Sequence, residues 1–182
     1  YLRQMAGLVF LTAIAGVLVD YSFKAQAAEH YEGDASGLLG LFAMFHMVTG
    51  ILSLAVQSGL TRRLLLSVGL GGTVSVLPIA VMASSLVVAF WGQLQTALFA
   101  RGSELVLNNS LHRTSYELLY TPVAPAKKRA TKALIDVAVN RSGDACGSAL
   151  ILVVLALAPA ELLRAVPVMA AIAAGAALLF AR

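Results

Sequence analysis

The chain has 182 residues, of which 59% are hydrophobic and 12% charged, and its mean hydropathy is +0.85. A soluble domain of this length cannot bury so much apolar surface, so the composition excludes a water-soluble fold and predicts an all-α membrane protein. The net charge of +4 comes largely from loops between apolar runs, which indicates membrane topology and argues against nucleic-acid binding.

Six apolar runs, separated by polar breaks, have the length of a transmembrane helix. A bilayer core of roughly 30 Å takes about 20 apolar residues per helix, and continuous rather than alternating runs favour helices over a β-barrel. The predicted transmembrane helices form one bundle over residues 1–182 and lie near residues 5–27, 38–58, 64–83, 86–119, 130–157 and 162–181. A very short turn at Ser84-Ser85 separates the third helix from the fourth.

Basic residues collect in the loops on one side of this bundle, and acidic residues in the loops on the other side. The basic side carries Arg3, Arg62, Arg63, Lys127, Lys128, Arg129, Lys132 and Arg182. The acidic side carries Glu29, Glu32, Asp34 and Glu161. Because positive charge marks the cytoplasmic side, we expect both ends of the chain to face the cytoplasm. The alternative for the basic loop at 127–132 is contact with anionic lipid.

Nine charged residues fall within the predicted helices, where an unpaired charge costs several kcal/mol. They are Asp20, Lys24, Arg101, Glu104, Arg113, Glu117, Asp136, Arg141 and Asp144. Five of these side chains are acidic and four are basic, so their charges nearly cancel, as they would if the residues paired with one another. In the first helix, an acid stands one turn before a base at positions 20 and 24. This pair is either a charged site or outer gate, in which the lysine balances a substrate phosphate, or an interfacial pair with a snorkelling lysine.

The fourth predicted helix has a polar face. Arg101, Glu104, Asn108 and His112 follow one another at spacings of three or four residues, which stacks them on one side of a helix. Asn109, Arg113, Tyr116 and Glu117 make an adjacent stripe. The pattern predicts that this helix lines a water-filled cavity. The alternative is that its last two turns protrude into the cytoplasm and are solvated.

The fifth predicted helix repeats the pattern, with Asp136, Asn140 and Asp144 on one face and Arg141 at its edge. Gly143 and Gly147 lie beside that face and predict close approach of a neighbouring helix. The two polar faces suggest a network in which Arg101 or Arg113 pairs with Asp136 or Asp144. Such a network holds a substrate or a gate, or it is structural only, and the sequence leaves both open.

The sequence lacks the motifs of soluble enzymes. It has no phosphate loop, no dinucleotide-binding glycine turn, no Ser/His/Asp spacing and no HExxH motif. His112 has no second histidine or cysteine at ligand spacing. We therefore predict a protein that is not an enzyme and that has no cofactor and no metal site.

Several short stretches of the chain resemble stretches of a known protein family and occur in the same order. They are Val19-Asp20-Tyr21-Ser22-Phe23-Lys24, Arg62-Arg63, Asn109-Ser110-Leu111-His112-Arg113, Tyr116-Glu117-Leu118-Leu119-Tyr120-Thr121-Pro122-Val123, Lys127-Lys128-Arg129-Ala130-Thr131-Lys132, Ile135-Asp136 and Arg141-Ser142-Gly143-Asp144-Ala145. In content and order they resemble the ATP/ADP-translocase-like branch of the major facilitator superfamily, over nearly the whole chain.

The resemblance implies the C-terminal six of twelve helices of a two-bundle carrier that works by alternating access. It also implies a multi-pass protein of a bacterial inner membrane, in a branch whose nucleotide exchangers occur in obligate intracellular bacteria and plastids. The chain starts at Tyr1 without an initiator Met and ends at Arg182 on an apolar run. We therefore expect a fragment of a longer protein, with its N-terminal six-helix half missing.

Two functions follow as hypotheses. The first is a secondary transporter in the lipid bilayer, an antiporter of ATP and ADP or of another anionic solute. Its phosphate or counter-ion partners are Lys24, Arg101, Arg113 and Arg141. The second is a transporter-derived membrane module that no longer transports and that anchors or signals within a larger assembly. Embedded charge favours the first, because charge without transport is a cost that selection need not keep.

Overall fold

The computed structural model describes residues 2–59, 61–121, 132–158 and 161–181, with residues 61 and 62 described by their backbone alone. Several basic residues on which the topology prediction depends lie outside the described part of the chain. They are Lys127, Lys128, Arg129, Arg182 and, for its side chain, Arg62. The predicted start of the fifth helix at residue 130 lies outside the described part too.

The described residues form six helical columns and no strands. Three columns are single helices: α1 Leu2–His30, α2 Ala35–Gly59 and α6 Leu162–Phe180. The column α3 Thr61–Trp91 is two helical pieces joined at a kink, where Gly69 takes φ 75 and ψ 179. The column α4 has three consecutive pieces, which are α-helical Leu94–Leu107, π-helical Asn108–His112 and α-helical Arg113–Leu119. The column α5 has two pieces, π-helical Leu134–Val139 and α-helical Asn140–Leu157.

Five of these columns are long and apolar enough to cross a membrane: α1, α2, α3, α5 and α6. The column α4 differs because its longest α-helical piece has 14 residues and because four charged residues lie along it. The described part of the chain is thus all-helical and compatible with a multi-pass membrane protein.

The predicted boundary between the third and fourth helices is wrong. Ser84 and Ser85 are buried inside α3, and the Ser84 hydroxyl donates to the carbonyl of Val81 at 3.3 Å, so it does not interrupt the helix. The chain turns at Gly92 (φ 55) and α4 begins at Leu94 instead of residue 86. Glycine accepts this left-handed backbone without strain. The break between α3 and α4 therefore lies eight residues later than the turn predicted at Ser84-Ser85.

The connection between α1 and α2 is a tight turn capped by Asp34. Gly33 takes φ 86, and Oδ1 of Asp34 accepts bonds from the Gly37 amide at 3.0 Å and from the Ser36 hydroxyl at 2.7 Å. These bonds, to Gly37 first and Ser36 second, hold the pKa of the Asp34 carboxyl below its usual value. Asp34 is therefore a helix N-cap that ends the acidic connection.

The bundle core is built around α1, which packs against α4, α5 and α6. Leu18 is fully buried, and Val81 of α3 and Ala170 of α6 belong to the same apolar cluster. A Cβ at Gly143 of α5 would lie 2.7 Å from the carbonyl oxygen of Phe10 on α1. The predicted close approach at Gly143 is confirmed, and the neighbouring helix is α1.

Candidate functional site

A cleft of about 1080 Å³ opens between α1, α4 and α5. Ten of the eleven residues that the sequence singled out for a substrate or gating site line it: Asp20, Arg101, Glu104, Asn108, Arg113, Glu117, Asp136, Asn140, Arg141 and Asp144. The eleventh, Lys24, has a side chain that is 61% exposed and does not belong to the lining. The two polar faces that lie far apart in sequence thus meet across one space.

The first charged group, which we call the Arg101 cluster, consists of Asp20, Arg101, Glu104 and Asn108 in the cleft and of Lys24 beside it. A guanidinium nitrogen of Arg101 lies 3.0 Å from Oδ1 of Asp20, and another contacts Oε2 of Glu104. The second Asp20 oxygen binds the Lys24 ammonium at 2.6 Å, so the predicted pair in the first helix is confirmed. Asn108 donates to Oε1 of Glu104 at 3.2 Å.

Burial makes the Arg101 cluster a fixed structure. Glu104 is 3% exposed, and the Arg101 side chain is 16% exposed. A carboxylate this deeply buried needs both an ionic partner and hydrogen bonds, and Glu104 has them from Arg101 and Asn108. The cluster also joins α1 to α4 through Asp20.

The predicted pairing of arginines on α4 with acids on α5 is wrong within the described residues. Arg101 turns to Asp20 on α1, because α1 packs against both α4 and α5 and offers an acid at shorter range. Asp144 instead faces Arg141 of its own helix, at 3.4 Å. Asp136 accepts hydrogen bonds from tyrosines and not from an arginine.

The second polar group, which we call the Tyr–Asp136 cluster, consists of Tyr116, Tyr120 and Asp136. Tyr116 donates to Oδ1 of Asp136 at 2.6 Å, Tyr120 donates to the same oxygen at 3.2 Å, and the two hydroxyls contact each other. Beside them, Lys132 binds Glu117 at 2.5 Å. The sequence did not single out Tyr120, although its i, i+4 spacing from Tyr116 on one face was a usable signal.

Two guanidinium groups remain available in the cleft. Arg141 has a side chain that is 79% exposed, and its ion pair is the long contact with Asp144. Arg113 is exposed, and no carboxylate of the described chain lies within ion-pair distance of it. Both line the cleft, so a ligand there meets two donors of bidentate hydrogen bonds.

The cleft-lining helices are irregular where they carry polar residues. Asn108–His112 of α4 and Leu134–Val139 of α5 are π-helical, and such segments occur frequently at functional sites. His112 lies in the first of them and is buried, and its Nδ1 has no hydrogen-bond partner among the described residues. Its ring stacks on that of Tyr116 at a centroid distance of 6.1 Å.

Comparison with protein-family models, with curated proteins and with solved structures found no match.

Proposed function

We propose that the chain is one half of a secondary transporter of the major facilitator type, which exchanges an anionic solute by alternating access. ATP and ADP are the candidate substrates, and the Arg113 and Arg141 guanidinium groups are the proposed phosphate ligands. The Asp20 and Tyr116 stretches resemble the ATP/ADP-translocase-like branch without indicating a substrate, and nucleotide is proposed because that branch contains nucleotide exchangers. The site residues support a charged solute independently of that resemblance.

One observation carries the proposal: the unpaired charge in the cleft is mainly positive. Glu104, Glu117 and Asp136 already accept strong hydrogen bonds from protein donors. Arg113 and the exposed Arg141 do not have comparable partners among the described residues. Asp144 has the same 3.4 Å contact with Arg141 as its one ion pair. An incoming anion therefore finds the free Arg113 and the weakly held Arg141, whereas an incoming cation finds Asp144 alone.

The size and position of the cleft support a solute larger than an ion. Its volume of about 1080 Å³ is slightly above the usual range for small-molecule sites, roughly 300–1,000 Å³. The lining comes from three helices, two of which carry π-helical segments. In the proposed carrier, a second six-helix bundle would close the remaining wall.

The non-transporting membrane module is the second candidate, and the Arg101 cluster favours it. Arg101 is bound by two carboxylates, and Glu104 is almost fully buried. That arrangement explains the embedded charge by structure alone, without a substrate. The two functions therefore differ in what Arg113 does, because Arg113 has no structural partner among the described residues.

The test is exchange of labelled ATP against ADP in proteoliposomes that contain the full-length protein. We expect exchange by the wild type and its loss in Arg113→Gln, since the variant removes an unpaired phosphate ligand and no described ion pair. Arg164→Gln is the matched control, because Arg164 is exposed on α6 and outside the cleft lining. Arg164→Gln should exchange nucleotide at the wild-type rate.

Failure takes two distinct forms. If the folded wild-type protein exchanges no nucleotide, the nucleotide assignment is wrong, and other anions are assayed in the same vesicles. If it exchanges no anion at all, the non-transporting module is the better description. Equal exchange by Arg113→Gln and wild type would remove Arg113 from the site.

A further inference from the structure

The Tyr–Asp136 cluster contains an embedded carboxylate that has no cationic partner. No Lys, Arg or His of the described chain lies within ion-pair distance of Asp136, and Lys132, one turn earlier in the chain, binds Glu117 instead. Its hydrogen-bond donors are two neutral tyrosine hydroxyls. Acidic residues within membrane-spanning helices are rare, and they commonly belong to a proton or ion pathway.

The cluster lies between an apolar wall and the cleft. Tyr120 is fully buried and packs with Met5 of α1 and Ile135 of α5. Asp136 and Tyr116 line the cleft, and Asp136 is partly exposed. A proton from water in the cleft therefore has access to the carboxylate from one side, while apolar side chains cover the other.

Three oxygen atoms of the cluster are in mutual contact. The Tyr116 hydroxyl lies 2.6 Å from Oδ1 of Asp136, the Tyr120 hydroxyl lies 3.2 Å from the same atom, and the two hydroxyls contact each other. Each tyrosine supplies one hydrogen, so an ionised Asp136 leaves one of the three contacts without a hydrogen. A proton on Oδ1 completes a ring in which every oxygen donates one hydrogen bond and accepts one.

The other charged or titratable groups of the cleft form no ion pair or hydrogen bond with Asp136 in the described chain. Those nearest along the lining helices are Asp20 of α1, His112, Arg113 and Glu117 of α4, and Lys132 and Arg141 on either side of Asp136 in the chain. Four of the six form ion pairs with other residues, and the His112 ring stacks on that of Tyr116. Arg3, near the start of α1, is exposed and lies outside the lining. Arg113 is therefore the free charge beside the cluster.

Arg113 connects the cluster with the anion site of the proposed function. It stands three residues before Tyr116 in the α-helical piece Arg113–Leu119, a spacing at which Cβ atoms are about 5–6 Å apart. An anion bound to Arg113 therefore brings negative charge close to Asp136. A neighbouring negative charge favours the protonated form of a carboxylate, so anion binding and proton binding strengthen each other.

We propose that the Tyr–Asp136 cluster is a proton-binding site, and that one proton is taken up there for each anion bound at Arg113. The proton comes from water in the cleft, forms an O–H bond with Oδ1 of Asp136, and leaves when the anion leaves. The three oxygens are so close together that no metal ion fits between them, which favours a proton. The proton site stands independently of the nucleotide, and its coupling to the anion rests on the proposed function.

Infrared difference spectroscopy of the full-length protein in phosphatidylcholine nanodiscs detects the protonated carboxyl group directly. As the pH is lowered over the range in which the protein stays folded, we expect a carboxyl C=O band that is missing from Asp136→Asn. Asp144→Asn is the matched control, because Asp144 lies on the same helix and lines the same cleft but pairs with Arg141. Asp144→Asn should retain the band, and Tyr116→Phe should shift its frequency because the ring of hydrogen bonds is broken.

Addition of ATP at constant pH tests the coupling. The same band should grow in the wild type as ATP binds, and it should not grow in Arg113→Gln. Calorimetry at several pH values measures the ATP affinity, which should rise by up to about tenfold per unit of pH decrease relative to Asp136→Asn, as uptake of one proton requires. The comparison with Asp136→Asn removes the titration of the nucleotide itself.

The outcomes separate the proton site from the coupling. Absence of an Asp136-dependent band at every pH at which the protein is folded overturns the proton site. A band that bound ATP leaves unchanged overturns the coupling. If the band appears and no nucleotide binds, the proton site is supported and the nucleotide assignment is wrong. If Asp136→Asn does not fold, Tyr116→Phe replaces it, and an unshifted carboxyl band in that variant overturns the proton site equally.

Discussion

The two ends of the cleft differ in how their charged side chains are paired and buried. In the Arg101 cluster every charged group is paired and Glu104 is almost completely buried, whereas Arg113 and Arg141 are exposed and largely free. Charges with partners hold α1 and α4 together at a fixed distance, and charges without partners are available to a ligand. The charged residues of α4 therefore divide into paired residues, which include Arg101 and Glu104, and Arg113, which is unpaired in the described chain.

The largest effect should come from breaking the Arg101 cluster. Arg101→Ala leaves Glu104 buried without an ionic partner, and removal of one member of a buried pair costs roughly 3–5 kcal/mol. Thermal unfolding followed by circular dichroism measures the loss. The double variant Arg101→Ala with Glu104→Gln should recover part of the stability, because no charge is then left buried. A single variant within about 0.5 kcal/mol of the wild type would show that the cluster is not structural.

A second, smaller effect should come from the side of the cleft where α5 meets α1. Gly143→Ala places a methyl group 2.7 Å from the Phe10 carbonyl oxygen and 2.7 Å from Cβ of Ala13, and such overpacking costs about 1–3 kcal/mol. Gly50→Ala is the matched control, because nothing lies within 4 Å of its added Cβ. The same unfolding measurement should show Gly50→Ala at or above wild-type stability, and an equal loss in both would disprove the close contact.

The Tyr–Asp136 cluster should give an intermediate result that sharpens the comparison. Tyr116→Phe removes the hydroxyl that donates to Asp136 at 2.6 Å, but Tyr120 keeps donating to the same oxygen. A hydrogen bond to a charged group contributes about 1.5–3 kcal/mol, and the remaining donor should hold the loss near the lower limit. Tyr21→Phe serves as the control, and Tyr116→Phe should be the less stable of the two.

Asp34 extends the comparison to an exposed carboxylate outside the cleft, and it should give the smallest effect. Its folded-state pKa is depressed below 3.8 by bonds from Gly37 and Ser36. It therefore contributes stability above the unfolded-state pKa, and this contribution is lost as the pH falls through the folded-state pKa. Asp34→Asn should reduce the pH dependence of the unfolding temperature between pH 5 and pH 3, relative to wild type. An unchanged slope would show that the capping bonds do not persist in solution.

The sequence predicted which residues line the cleft better than it predicted their partners. Spacing within one helix brings Arg101, Glu104 and Asn108 to one face, and this is a local property. The bond from Arg101 to Asp20 depends on which helix packs against α4, and no pattern within either helix states that.

Helix boundaries, like the ion-pair partners, were predicted well only where they depend on a local sequence pattern. The break near residue 92 depends on one glycine taking a positive φ, whereas two serines within an apolar run only resemble a turn. Gly143 was predictable because small residues four apart on one face are a local pattern. Its contact with Phe10, more than a hundred residues earlier, was not predictable from that pattern.

The π-helical segment Asn108–His112 changes the direction in which the side chains after it point around the axis of α4. A π-turn accommodates one more residue than an α-turn, and each residue of an α-helix rotates the chain by about 100°. Deletion of one residue here would restore a regular α-helix and rotate everything from Arg113 to Tyr120 by that angle around the helix axis. The one extra residue of the π-turn therefore determines which side chains of the last two turns of α4 point into the cleft.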